Sequence, residues 1–71
     1  MQIVKELFVV DWGEYDFYLE SEADADRAAT ALSQVGYLVG GGLEDLGRVT
    51  VAIDPGYVTD INAARNIIAA L

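Results

Sequence analysis

The chain has 71 residues, 12 acidic and 4 basic side chains, and a net charge of −8, with 54% hydrophobic residues. It contains no His and no Cys, which excludes a Cys nucleophile, a Cys/His zinc site and any disulfide. This length predicts one domain, residues 1–71, with no separate cofactor-binding domain. The acidic balance argues against direct binding to nucleic acid or to anionic membranes, because neutralising phosphates requires clustered Lys and Arg.

Hydropathy along the chain predicts neither a membrane span nor a leader. No stretch approaches the roughly 18 consecutive apolar residues that a transmembrane helix needs. The first residues, Met1 to Glu6, lack the basic-then-apolar layout of a signal peptide. We therefore expect a cytoplasmic protein. For so short a chain, apolar burial and chain entropy nearly cancel, so we expect a marginal monomer that a homodimer would stabilise.

The chain opens with two predicted strands. Residues 2–11 are rich in β-branched and aromatic side chains, and residues 14–20 alternate, with Tyr15, Phe17 and Leu19 on one face. Trp12–Gly13 between them is a turn dipeptide, which predicts a hairpin. With a two-residue loop, the pairs would be Val10 with Tyr15, Phe8 with Phe17 and Lys5 with Glu20. This register leaves Leu7 and Val9 on the acidic face.

A helix is predicted next, followed by two strands and a second helix. Ser21 is a suitable N-cap for the first helix, and Gly36 suits the position just after it. The apolar stripe of that helix comprises Ala25, Ala28, Ala29, Leu32 and Val35. A third strand is predicted to begin at residues 37–39, and residues 46–54 contain a fourth. A last helix follows from about residue 59 to residue 71, with Ile61, Ala64, Ile68 and Leu71 inward. The order ββαββα predicts an α+β two-layer sandwich, a four-stranded antiparallel sheet with two helices on one face.

The densest feature of the sequence is an acidic segment at residues 11–26. Same-face neighbours on a strand stand about 6.7 Å apart, so its strand acids are predicted to form a row of negative charge. One interpretation is a docking surface for a basic partner, with two exposed aromatic anchors. The other is a solvated face with acids placed at the positive end of a helix. The candidate partner-binding residues are Asp11, Trp12, Glu14, Asp16, Tyr18, Glu20, Glu22, Asp24 and Asp26.

Other chemistry is weakly supported by the sequence. Asp11, Glu14 and Asp16 are hard oxygen ligands for Ca²⁺ or Mg²⁺, but their spacing does not fit an EF-hand loop, so we predict no metal and no cofactor. Three tandem glycines, residues 40–42, are followed by neither Lys-Ser/Thr nor a helix, which favours a bulged hairpin over a phosphate loop. We expect no enzyme, because a two-layer domain of this size offers little cleft for tuning a pair of carboxylates.

In general character the chain resembles the small acidic proteins that phages make to block host defence nucleases, a group that includes anti-CRISPR proteins and other DNA-mimic inhibitors. The resemblance rests on short length, the charge of −8, the absence of Cys and His, and one acidic row. That row is Glu14, Asp16, Glu20, Glu22, Asp24 and Asp26. The resemblance implies a stoichiometric, non-catalytic inhibitor in the host cytoplasm, whose carboxylates occupy the basic nucleic-acid-binding surface of a partner protein.

A second hypothesis is a structural or regulatory oligomerisation module, such as an antitoxin-like partner or a ligand-sensing domain. Residues 31–39 look like the helix-to-strand passages of ferredoxin-like regulatory domains. The full ferredoxin-like order is βαββαβ, however, whereas this chain opens with two strands and closes on a helix. Leu7 and Val9, if exposed, favour oligomerisation.

Overall fold

The computed structural model describes residues 1–40, 47–53 and 60–71 and contains one four-stranded antiparallel sheet and two helices. Along the sheet the strands follow the order β1-β2-β4-β3, so β1 and β3 form its edges. The elements are β1 (Lys5–Val9), β2 (Glu14–Tyr18), α1 (Glu22–Gln34), β3 (Val39–Gly40), β4 (Arg48–Ala52) and α2 (Ile61–Ala69). The predicted α+β class and the order ββαββα are confirmed.

Both helices cover the same face of the sheet, because their buried side chains form one cluster with those of β2 and β4. Phe17 lies at its centre with 0% exposure, as its place in the alternation predicts. Burying a cluster of this kind is the main favourable contribution to folding. The core residues are Phe17, Leu19, Ala25, Ala28, Leu32, Tyr37, Val49, Val51, Ala64 and Ile68. The opposite face of the sheet, which we call the open face, carries no helix within the described residues.

The register of the first hairpin differs from the prediction by two residues. Val9 lies opposite Glu14, Phe8 opposite Tyr15 and Lys5 opposite Tyr18, so the predicted pairing of Lys5 with Glu20 is wrong. The reason is the connection: residues 10–12 form a turn of 3₁₀ helix, and Gly13 closes it in the left-handed region at φ 63°. A loop of residues 10–13 replaces the expected two-residue turn. A slip of two residues keeps every side chain on its predicted face.

The helix boundaries follow the predicted capping residues. The Ser21 hydroxyl accepts a hydrogen bond from the backbone N–H of Asp24 at 3.2 Å, which caps α1. After the helix, Gly36 takes φ 100°, a conformation that side chains rarely allow. The two terminal members of the predicted apolar stripes, Val35 and Leu71, are exposed rather than inward, because each lies beyond the last regular helical turn.

The second helix begins at an N-cap that also contacts the core. The carboxylate of Asp60 accepts hydrogen bonds from the N–H groups of Asn62 and Ala63. Its carbonyl accepts one from the Tyr37 hydroxyl at 2.9 Å, and burial, followed by the charge of Asp60, raises the pKa of Tyr37. The glycines at 41–42, the stop signal at residues 54–56 and Tyr57 lie outside the described residues.

Candidate functional site

The acidic segment, residues 11–26, divides into two groups at opposite ends of β2. Glu14 begins the strand, and Glu20 follows its end after about 13 Å of extended backbone. The first group is exposed Asp11 and half-buried Glu14. The second comprises exposed Glu20, Glu22 and Asp26 with half-buried Asp24. The structure therefore places most of the predicted carboxylates at the surface, but not as one continuous row.

Asp16 interrupts the row, and its predicted exposure is wrong. Its side chain is only 2% exposed although it lies on the open face. In the strand register it stands between Leu7 of β1 and Thr50 of β4. The Thr50 hydroxyl donates a hydrogen bond of 2.8 Å to Asp16 Oδ1. A carboxylate that is buried and hydrogen-bonded to Thr50 is not part of the surface that a partner would meet.

Tyr18 lies beside basic residues rather than among acids. The Lys5 ammonium stands 5.2 Å from the centroid of the Tyr18 ring, a cation–π distance. On its other side Tyr18 is opposite Arg48 in the register of β2 and β4. The side chain is half-buried. Tyr18 therefore belongs to a basic row at one end of the open face, not to the acidic segment as predicted.

The acids at the start of α1 sit where the helix favours negative charge. Glu22 and Asp24 occupy its first turn, directly after the Ser21 cap. Unpaired N–H groups at a helix N-terminus carry a partial positive charge that stabilises such carboxylates by about 0.3–1 kcal/mol each. This local effect accounts for two of the acids, whereas Glu20 and Asp26 lie outside that first turn and are exposed.

Trp12 is the most exposed large hydrophobic side chain of the described structure, at 73%. The 3₁₀ turn sets it at one wall of a shallow groove of about 270 Å³ on the open face. Leu38 is at the opposite side, held by a hydrogen bond of 3.0 Å from the Ala52 N–H to its carbonyl oxygen. Glu14 contributes a carboxylate, and Gly40 and Thr50 also line the groove. The predicted exposure of Trp12 is confirmed.

A charged network that the sequence analysis missed links β1 to α2. Arg65 Nε lies 3.0 and 2.9 Å from the two carboxylate oxygens of Glu6, and Arg65 Nη2 lies 2.7 Å from Oε1. The Tyr15 hydroxyl donates to the same Glu6 oxygen at 2.8 Å, and Arg65 Nη1 donates to Asn62. We call these side chains the Glu6–Arg65 clasp.

The clasp alters the ionisation of both charged partners. Hydrogen bonds from Arg65 are the largest cause holding the pKa of Glu6 below its usual range; burial opposes the shift and Tyr15 adds to it. The same contact raises the pKa of Arg65. Glu6 and Arg65 are 59 residues apart, so no local pattern in the sequence signals the contact. The clasp uses one of the chain's four cations to neutralise an acid of the helix-covered face.

Neither a metal site nor a membrane span is found in the part of the chain that the structure describes. Residues 1–40, 47–53 and 60–71 contain no group of three or more acidic side chains placed to hold a metal ion. Asp11, Glu14 and Asp16 are therefore not brought together as a cation site. None of the described helices has the length and apolar character needed to cross a bilayer. Comparison with models of protein families, with curated proteins and with solved structures finds no match to this chain.

Proposed function

We propose that this protein is a non-catalytic inhibitor that binds a partner protein and covers a basic nucleic-acid-binding surface, such as that of a CRISPR or other defence nuclease complex. The observation that carries the proposal is the set of exposed carboxylates Asp11, Glu20, Glu22 and Asp26. None of these four carboxylates forms an ion pair with another described residue.

The electrostatics of such a surface favour a basic partner. A net charge of −8 on 71 residues attracts cationic surfaces over long distances and repels nucleic acid and other acidic proteins. Exposed carboxylates are screened beyond about 8 Å at physiological ionic strength, so binding of this kind weakens as salt is added. Carboxylates also match the geometry in which Arg and Lys side chains normally hold phosphate.

The test begins with capture of partners from bacterial lysate at low salt, elution by a salt gradient and mass spectrometry. Each captured protein is then assayed for binding of a labelled nucleic acid with increasing amounts of the inhibitor. We expect competition at a stoichiometric ratio, and weaker competition by the double variant Glu20→Gln/Glu22→Gln.

A matched control separates the effect of the acids Glu20 and Glu22 from the effect of net charge. The variant Asn66→Lys/Ala70→Lys changes exposed positions on and just after α2 and shifts the net charge by the same two units. It should compete like the parent. If both double variants lose competition equally, general charge rather than the group at the start of α1 drives binding. If captured partners retain their nucleic acid at saturating inhibitor, the proposal fails.

A second candidate function, self-association as an oligomerisation module, is favoured by Leu7. This side chain is 43% exposed on the open face and belongs to β1, an edge strand of the sheet. Sedimentation at increasing concentration tests it: an apolar dimer persists at high salt, and Leu7→Asn dissociates it. Val35→Asn, an exposed apolar position at the end of α1, is the control. A monomer throughout the micromolar range would remove this candidate.

A further inference from the structure

The groove beside Trp12 combines an aromatic wall, an aliphatic wall and a single charge. Trp12 and Leu38 stand on its two sides, and both are mostly exposed. Glu14 is the one ionisable side chain among the described residues that line it. No described residue offers the Glu14 carboxylate a hydrogen bond or an ion pair. A half-buried carboxylate next to an exposed indole creates a local environment suited to a cation.

The backbone around the groove is held from several sides. Glu14 pairs with Val9 on one strand and with Ala52 on the other. The N–H of Ile53 donates to the carbonyl oxygen of Gly13 at 2.6 Å, which fixes the residue between Trp12 and Glu14. Because these residues are anchored in the sheet, the indole and the carboxylate are presented to a ligand with little backbone ordering to be done on binding.

We propose that this groove receives an arginine side chain of the basic partner, an inference that rests on the proposed function. A guanidinium is planar and weakly hydrated, so it stacks on an indole face while its N–H groups donate to a carboxylate. The aliphatic stem of the arginine packs against Leu38. Lysine carries a compact, strongly hydrated charge and gains less from the indole. The net charge of −8 and the Glu14 carboxylate in the groove favour a cation over an anionic or neutral group.

Trp12 is the single tryptophan of the chain, so its fluorescence reports the groove directly. The probes are hexa-arginine and hexa-lysine peptides, titrated at physiological ionic strength without any partner protein. We expect a saturable change in Trp12 emission with hexa-arginine, at about fivefold higher affinity than with hexa-lysine.

Two variants and one matched control locate the binding. Glu14→Gln should weaken hexa-arginine binding about fivefold, whereas Asp11→Asn removes an equal charge from an exposed residue outside the lining and should change it less than twofold. Gly40→Leu fills the groove: a Cβ built at Gly40 meets no atom within 4 Å, so the fold tolerates the added side chain. This variant should keep its unfolding transition and lose the emission change.

The outcomes separate this inference from the proposed function. Equal affinity for both peptides, or equal effects of Glu14→Gln and Asp11→Asn, would overturn the inference that the groove binds arginine. The proposed inhibitor function would still be decided by the nucleic-acid competition assay. A change in Trp12 emission with protein concentration alone, abolished by Gly40→Leu, would identify a second copy of this chain as the occupant and would also overturn it. Selective hexa-arginine binding without any captured partner would support the groove and count against the inhibitor.

Discussion

The two faces of the sheet differ in the hydrogen bonding of their glutamate side chains. On the helix-covered face, the Glu6 carboxylate accepts hydrogen bonds from Arg65 and from Tyr15. On the open face, Glu14 of the neighbouring strand has no such donor among the described residues and lines the groove beside Trp12. A count of charges along the sequence does not distinguish Glu6 from Glu14, although only Glu14 is available to a partner.

Asp16 shows that a side chain on the open face is not necessarily exposed to solvent. Asp16, which is hydrogen-bonded to Thr50, is 2% exposed, whereas Glu22, beyond the end of the same strand, is exposed. Among the described acids, Glu6 is paired with Arg65 and Asp16 is buried, so the negative surface is smaller than the net charge suggests. Within the acidic segment, the acids left at the surface are those around the start of α1 and the pair Asp11 and Glu14.

The largest expected effect tests which face holds the core. Phe17→Ala removes a side chain with 0% exposure and leaves a cavity, which should cost about 3–5 kcal/mol of unfolding free energy. Phe8→Ala is the matched control, because Phe8 is 52% exposed on the edge strand and should lose less than about 1.5 kcal/mol. Urea denaturation followed by circular dichroism measures both. Similar losses in the two variants would mean that the helix-covered face is not the core.

The next effect tests the burial of Asp16. Asp16→Lys should cost about 2–3 kcal/mol, because the Thr50 hydroxyl loses its acceptor and an ammonium group must extend past Leu7 to reach water. The same charge reversal at exposed Glu22 should cost less than about 1 kcal/mol, mainly through the helix dipole. Thermal unfolding of the two variants gives the comparison. Equal Tm values would contradict the buried position of Asp16.

Local patterns in the sequence predict much of this fold, and non-local contacts account for the rest. The alternation around Phe17 identifies the core face, and Ser21 and Gly36 mark the ends of α1. The hairpin register is missed because a 3₁₀ turn at residues 10–12 is not signalled by the turn dipeptide. The hydrogen-bond partner of the buried Asp16 is Thr50, 34 residues away, and no periodicity within one strand reveals that contact.

In the candidate site too, local patterns predict some features, and contacts between distant residues account for the others. The exposure of Trp12 follows from its place beside a turn glycine, so the sequence predicts it. The groove requires Leu38 and Gly40, which reach Trp12 only because β3 pairs with β4 at the far edge of the sheet. Tyr18 is misplaced among acids for a related reason: its neighbours Lys5 and Arg48 come from two other strands.

A smaller effect tests the Glu6–Arg65 clasp. Glu6→Gln should cost about 1 kcal/mol near neutral pH, because Arg65 loses charge-assisted hydrogen bonds. The folded state holds the pKa of Glu6 below the value of about 4.3 for an unperturbed glutamate, so the clasp is fully formed above that pH. Its contribution is lost as pH falls through the lowered pKa.

Urea denaturation at a series of pH values measures this dependence. The parent should lose stability as pH falls below about 4.3, and the Glu6→Gln variant should lose less over the same range. Parallel pH profiles for the two proteins would show that Glu6 does not contribute through its charge.

The smallest effect on stability is expected from replacing a glutamate on the open face by glutamine. Glu14→Gln should change the unfolding free energy by less than about 0.5 kcal/mol, because no described residue pairs with this carboxylate and the variant removes one of 12 acidic charges. Urea denaturation of Glu14→Gln and Glu6→Gln under the same conditions compares the loss of a paired carboxylate with the loss of an unpaired one. The difference between the two unfolding free energies is the contribution of the contact with Arg65. A loss as large as that of Glu6→Gln would mean that Glu14 stabilises the fold, and its carboxylate would then be unavailable for an incoming arginine.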